Sequence, residues 1–98
     1  MRNMTRLQQV DIDLNAVTST AELHATLRDA LGFPAWCGAN WDAFWDAITG
    51  LVEMPVQLKF HGWDELATRL PRDAQLMRQC LEEMTTHYPE FAPQVTFD

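Results

Sequence analysis

Three short segments with strand periodicity, each separated from the next by two stretches of helical periodicity, constrain this chain more than any other feature. VDIDL (10–14), VQLKF (56–60) and QVTF (94–97) alternate apolar and polar residues. Between the first two, Ser19 and Glu22 have capping-box spacing, and Leu23, Leu27, Ala30 and Leu31 follow at i, i+4, i+7 and i+8. The spacing predicts a helix over 20–31, stopped by Gly32 and Pro34. Asn40 is a good N-cap for a second helix over 41–49, ended by Gly50. After the second strand a short helix over 63–70 turns Leu66 and Leu70 inward. Pro71 interrupts, and a longer helix runs from 73 to about 86 with Met77, Cys80, Leu81 and Met84 on one face. Strands joined through helices pair in parallel with right-handed crossovers. The expected fold is α/β: a three-stranded parallel sheet packed by four helices in the order β-α-α-β-α-α-β. The 98 residues, 47% of them hydrophobic, suit one domain over 1–98 with one core. Residues 1–5 read as a disordered or loosely held tail.

Several function classes are disfavoured at once. There is no apolar run near membrane-spanning length, and the N-terminal stretch has no continuous apolar segment of the signal-peptide kind. A cytoplasmic protein is expected. Cys37 and Cys80 form no CxxC pair and no zinc spacing with histidine, so free thiols in a reducing compartment are expected. The formal net charge of -7 argues against holding a phosphate backbone directly and favours a cationic partner. The charge is unevenly placed: between Asp29 and Leu58 stand Asp29, Asp42, Asp46 and Glu53 with no Lys or Arg. Trp36, Trp41 and Trp45 lie in the same window.

The stretch GANWDAFWDAITG (38–50) concentrates the question. At about 100° per residue, Trp41, Phe44 and Ile48 share an apolar stripe, Asp42 and Asp46 share another face, and Trp45 stands at the border. Like charges at i,i+4 repel by roughly 0.2–0.5 kcal/mol. Asp42 has a local reason to be there, since the helix dipole favours an anion in the first turn. Asp46 has none, and no basic residue lies at i±3 or i±4 of either. Two readings of Trp45 fit: it widens the edge of the core, or it floors a binding surface, where Trp is enriched.

Chemical alternatives find less support. A divalent cation between these carboxylates, with Glu82 or Glu83, would need a larger oxygen shell, and nothing resembles an EF-hand loop. Cys37 with His24, His61 or His87 would make a nucleophile system, yet no family signature surrounds Cys37. His24, near the apolar side of the first helix, reads as a satisfied structural histidine. Paired carboxylates for glycoside cleavage need a sugar cleft that a chain this short hardly provides. There is no glycine-rich phosphate loop. No cofactor, no metal and no catalysis are expected.

The run FPAWCGANWDAFWDAITGLVEMP resembles the barstar family, intracellular inhibitors of the bacterial ribonuclease barnase. The resemblance rests on Pro34, Gly38, Asn40, Asp42, Ala43, Trp45, Asp46, Thr49, Gly50, Val52, Glu53 and Pro55. It extends more weakly from about Val10 to Phe97. It implies a small protein that plugs a ribonuclease's phosphate-binding cleft. Asp46 would be the central anion, at a substrate-phosphate position, and Asp42 would pair with a neighbouring cation. Trp36, Gly38 and Asn40 would belong to the contacting loop, and Ala43, Trp45 and Thr49 would pack at the interface. Glu83 would add an outlying charge, with Glu82 as the competitor.

The chain departs from the family at several of these places. Trp36 and Cys37 replace two tyrosines of the loop, Leu51 replaces an interface tryptophan, and Trp41 replaces a leucine at a position from which it could reach outward. The cysteines are not at the family's cysteine positions. The partner need not be barnase itself: a related guanyl-specific ribonuclease or the nuclease domain of a secreted or contact-delivered toxin fits as well. The inhibitor is expected to be a monomer when free. The alternative function is a barstar-like immunity or binding module for another basic toxin, without ribonuclease inhibition. Met54–Pro55 stands at a tight approach to the second strand that the family shares, and a cis bond is expected there.

Overall fold

The computed structural model describes residues 6–98; the tail expected at residues 1–5 lies outside them. Strands β1 (Gln9–Asp13), β2 (Gln57–His61) and β3 (Gln94–Phe97) form one parallel sheet in the order β1-β2-β3. The register sets Ile12 beside Phe60 and Phe60 beside Phe97. Alternation then gives the sheet two unlike faces. Val10, Ile12, Leu58, Phe60, Val95 and Phe97 join the core, while Gln9, Asp11, Gln57, Gln94 and Thr96 stay exposed. Parallel sheets are usually covered on both faces; here the polar face carries its own contacts, an ion pair of Lys59 with Asp98 and the His61 ring beside Asp11, each at 3.4 Å.

Four helices supply the connections: α1 (Thr20–Leu31), α2 (Trp41–Asp46), α3 (Trp63–Arg69) and α4 (Pro71–His87). The expected order β-α-α-β-α-α-β is therefore the one observed. In α1 the Ser19 hydroxyl accepts from the Glu22 amide at 3.1 Å. The Glu22 carboxylate reaches back one residue further than a standard capping box, to the Thr18 hydroxyl and amide, and these bonds hold its carboxyl below the usual range. Gly32, at φ 74, closes the helix with its amide on the Arg28 carbonyl. Helix α3 starts after Gly62 at φ 80, where a Cβ would lie 2.6 Å from the Asn15 side chain.

Three local expectations are corrected. The chain is interrupted at Leu70, between α3 and α4, but α4 begins at Pro71 and not at Asp73: Pro71 is its first residue, where its missing N–H would have had no helical partner. The second helix is α-helical only to Asp46 and continues as a π-turn, Ala47–Leu51. The Val52 amide donates to the Ala47 carbonyl at 3.1 Å, five residues back. Gly50 lies inside this turn without a positive φ, and the chain leaves the helix at Val52, which is extended. Met54–Pro55 is trans, since no peptide bond among the described residues is cis. The approach to β2 is not a tight turn but an extended lead, with the Val56 amide on the Leu7 carbonyl at 2.9 Å.

Core side chains from every helix meet the apolar face of the sheet. Phe44 from α2, Leu23 and Leu27 from α1, Leu66 from α3 and Met77 and Leu81 from α4 are fully buried with Phe60 and Leu58. Each such burial contributes roughly 1.5–3 kcal/mol. Phe44 and Ile48, both core residues, fix the rotation of α2 and so decide which of its faces meets solvent. No helix among the described residues is long and apolar enough to cross a membrane.

Candidate functional site

The loop between α1 and α2 is anchored at both ends and exposed in the middle. Phe33 packs edge-on against Phe44, with ring centroids 5.8 Å apart. Asn40 caps α2 by accepting from the Ala43 amide at 2.7 Å, as its residue type led us to expect. Between them Trp36 is 75% exposed, the most exposed large hydrophobic side chain of the described residues. Its neighbour Cys37 is buried, with Sγ 3.7 Å from the Ala43 carbonyl. The loop therefore presents one ring, not two. Gly38 is exposed, and a Cβ there would come within 3.0 Å of the Asn40 amide nitrogen that accompanies the cap.

Trp41 does not reach outward. It is half-buried, with its ring 4.4 Å from His24 and 5.2 Å from Phe44. Its indole N–H donates to Asp73 at 3.0 Å, and the other Asp73 oxygen accepts from the Thr20 hydroxyl at 2.6 Å. One carboxylate in the first turn of α4 thus ties α1 and α2 together. His24 is buried but not satisfied: its Nε2 has no hydrogen-bond partner among the described residues. Burial pushes its pKa down, and the charge of Asp73 opposes this in part.

With α2 held in this rotation, Asp42 and Asp46 are both exposed. They line a groove of about 450 Å³ between α2 and α4, together with Trp45, Gln79, Cys80 and Glu83. Among the described residues, no hydrogen bond or ion pair within the chain engages Asp42, Asp46 or Glu83. Glu82 points elsewhere. It pairs with Arg78 at 3.3 Å and lines a different cleft with Phe97. Trp45 is half-buried against the core, so it does widen the core edge, and it also walls the groove, with its ring 6.4 Å from Tyr88. Ala43 is half-exposed; Thr49 is too, but its hydroxyl is committed to the Trp45 carbonyl at 2.6 Å.

The groove's electrostatics register on Cys80. Burial pushes its thiol pKa up, and the negative charges of Glu83 and Asp42 push it further. Both cysteines are free. No group of three or more His, Cys, Asp or Glu among the described residues is placed to hold a metal ion. The arrangement is three carboxylates around a partly indole wall. That chemistry suits a guanidinium or ammonium group with an apolar stem. Sequence reasoning missed Gln79 and Cys80 as groove residues. Their signal was present, since Gln79 and Cys80 stand at i-4 and i-3 of Glu83 on one helix face.

Two comparisons with known proteins identify relatives of the chain. Residues 7–97 match the family described as Barstar (barnase inhibitor). Over 77 residues the chain is 31% identical to a protein of Bacillus subtilis (strain 168) named "Putative ribonuclease inhibitor YrdF", covering 79% of this chain and 85% of that one. With a family match over nearly its whole length and this relative covered over most of both chains, the chain belongs to the barstar family.

Proposed function

We propose that this chain inhibits a small basic ribonuclease in the cytoplasm by stoichiometric occlusion of its active site. The observation that carries the reading is the groove in which Asp42, Asp46 and Glu83 have no side-chain partner among the described residues. A carboxylate matches phosphate as an acceptor of bidentate arginine bonds, and an enzyme that binds RNA phosphates must display such cations. Asp46, central on the exposed face, takes the place of a substrate phosphate. Asp42 pairs with a neighbouring cation, and Glu83 adds an outlying charge from α4. Trp36, Gly38 and Asn40 contact the rim of the cleft, while Ala43, Trp45 and Thr49 pack at the centre.

The energetics are consistent with this division. The roughly 0.2–0.5 kcal/mol of repulsion between Asp42 and Asp46 is present in the free protein and relieved by a cation between them. Acids displayed on one face speed encounter with a basic enzyme and make it salt-sensitive; barnase and barstar are themselves the reference case for that effect. The inhibitor supplies no catalytic group.

Titration against small microbial ribonucleases tests the proposal. One-to-one, salt-sensitive inhibition of a basic member is expected. Absence of inhibition at micromolar concentration across the set would overturn it and leave a binding role toward another basic protein.

A further inference from the structure

A second cavity, of about 400 Å³, opens beside the π-turn. Its apolar wall is Ile48, Leu51, Val52, Met54, Met84 and Phe91. Its polar groups are already engaged. Arg6 donates to the carbonyls of Met54 at 2.8 Å, Pro55 at 3.0 Å, Glu90 at 3.4 Å and Phe91 at 3.5 Å. The Thr49 hydroxyl is held by the Trp45 carbonyl, and Glu53 is engaged as well. One guanidinium thus draws three segments together: the lead into β1, the approach to β2 and the turn after α4.

The mouth of the cavity is apolar. Leu51 is 43% exposed and Phe91 63%. Single exposed hydrophobes need no explanation; these two line the same cavity and put apolar surface at its mouth. This surface is continuous with the acidic groove. Thr49 lines the cavity and bonds to Trp45 of the groove. Tyr88, whose ring lies 6.4 Å from Trp45, accepts the Phe91 amide at 3.0 Å and so carries the turn that bears Phe91.

We propose that this cavity receives an apolar side chain of the same ribonuclease, one projecting beside its cationic cleft. The proposal rests on the inhibitor reading of the acidic groove and adds a second, uncharged anchor to it. The occupant is apolar because most of the wall is apolar and the polar groups at its edge are already committed. The two anchors act on different rates. The acids govern encounter and its salt dependence, while the apolar socket governs residence time.

Stopped-flow binding to barnase at two ionic strengths tests this, with Phe91→Ser, Leu51→Ser and Asp46→Ala beside the wild-type chain. The Phe91 and Leu51 variants should dissociate roughly tenfold faster, with association rate and salt dependence nearly unchanged. Asp46→Ala should weaken binding and flatten the salt dependence. Wild-type dissociation in both serine variants, with Asp46→Ala still weakened, would overturn the socket alone. Unchanged binding by Asp46→Ala, or no binding by the wild-type chain at micromolar concentration to barnase or to any other small basic ribonuclease of the titration above, would overturn the inhibitor reading with it. Both serine positions are exposed, so unchanged thermal midpoints are expected and separate a binding effect from misfolding.

Discussion

His24 makes stability depend on pH in a direction the structure fixes. The ring is 6% exposed, its Nε2 has no partner, and it lies 4.4 Å from the Trp41 ring. Charging it in place would strand a cation among α1 and α2, so burial holds its pKa below the ordinary value near 6.5. The unfolded chain has no such obstacle. As pH falls below about 6.5, the unfolded state takes up a proton that the folded state resists, and stability declines. The decline continues down to the lowered folded pKa and then levels. Its steepest slope for one proton is about 1.4 kcal/mol per pH unit. Asp73, which holds the Trp41 indole and partly favours a charged His24, makes the actual slope shallower. The comparison is with a variant that differs from wild type only at His24. Urea denaturation from pH 5 to pH 8, run on wild type and on His24→Gln, reads the difference. The wild-type midpoint should fall more steeply on acidification than that of His24→Gln. Parallel curves would refute the argument that a buried, unpartnered imidazole sits behind α2.

Two further predictions are independent of pH. Gly62→Ala places a Cβ 2.6 Å from Asn15 at a φ of 80, so it should destabilise the fold by about 1–3 kcal/mol in chemical denaturation. Glu83→Gln should slow association with the ribonuclease at low salt, whereas Glu82→Gln, which removes only an exposed pair with Arg78, should leave the rate nearly unchanged; stopped-flow fluorescence separates them.

How much of this could be read beforehand depended on the range of the interaction. Helix 20–31 was legible to its ends because Ser19, Glu22 and Gly32 are local signals with local partners. The exposure of Asp42 and Asp46 followed from helical periodicity alone. The π-turn was not legible, since AITGL contains nothing that distinguishes a bond five residues back from one four back. Pro71 was legible as punctuation but was assigned the wrong side of the boundary. The apolar stripe placed Trp41 inward, as found, but the bond that keeps it from reaching outward was not legible, because its partner, Asp73, lies 32 residues away. The choice between Glu82 and Glu83 was within reach, because Arg78 stands four residues before Glu82.

The central claim is that the Asp46 face of α2 binds a cationic ribonuclease site. The most direct measurement is inhibition of that ribonuclease by wild type and Asp46→Ala, paired with a denaturation curve for each. The account predicts stoichiometric inhibition by the wild-type chain. It predicts a loss of roughly 30-fold or more in affinity for Asp46→Ala, the scale of a hot-spot truncation, with stability unchanged or slightly raised because a like-charge pair has been removed. An Asp46→Ala variant that inhibits as well as wild type, or one that loses its fold and not its affinity, would contradict it.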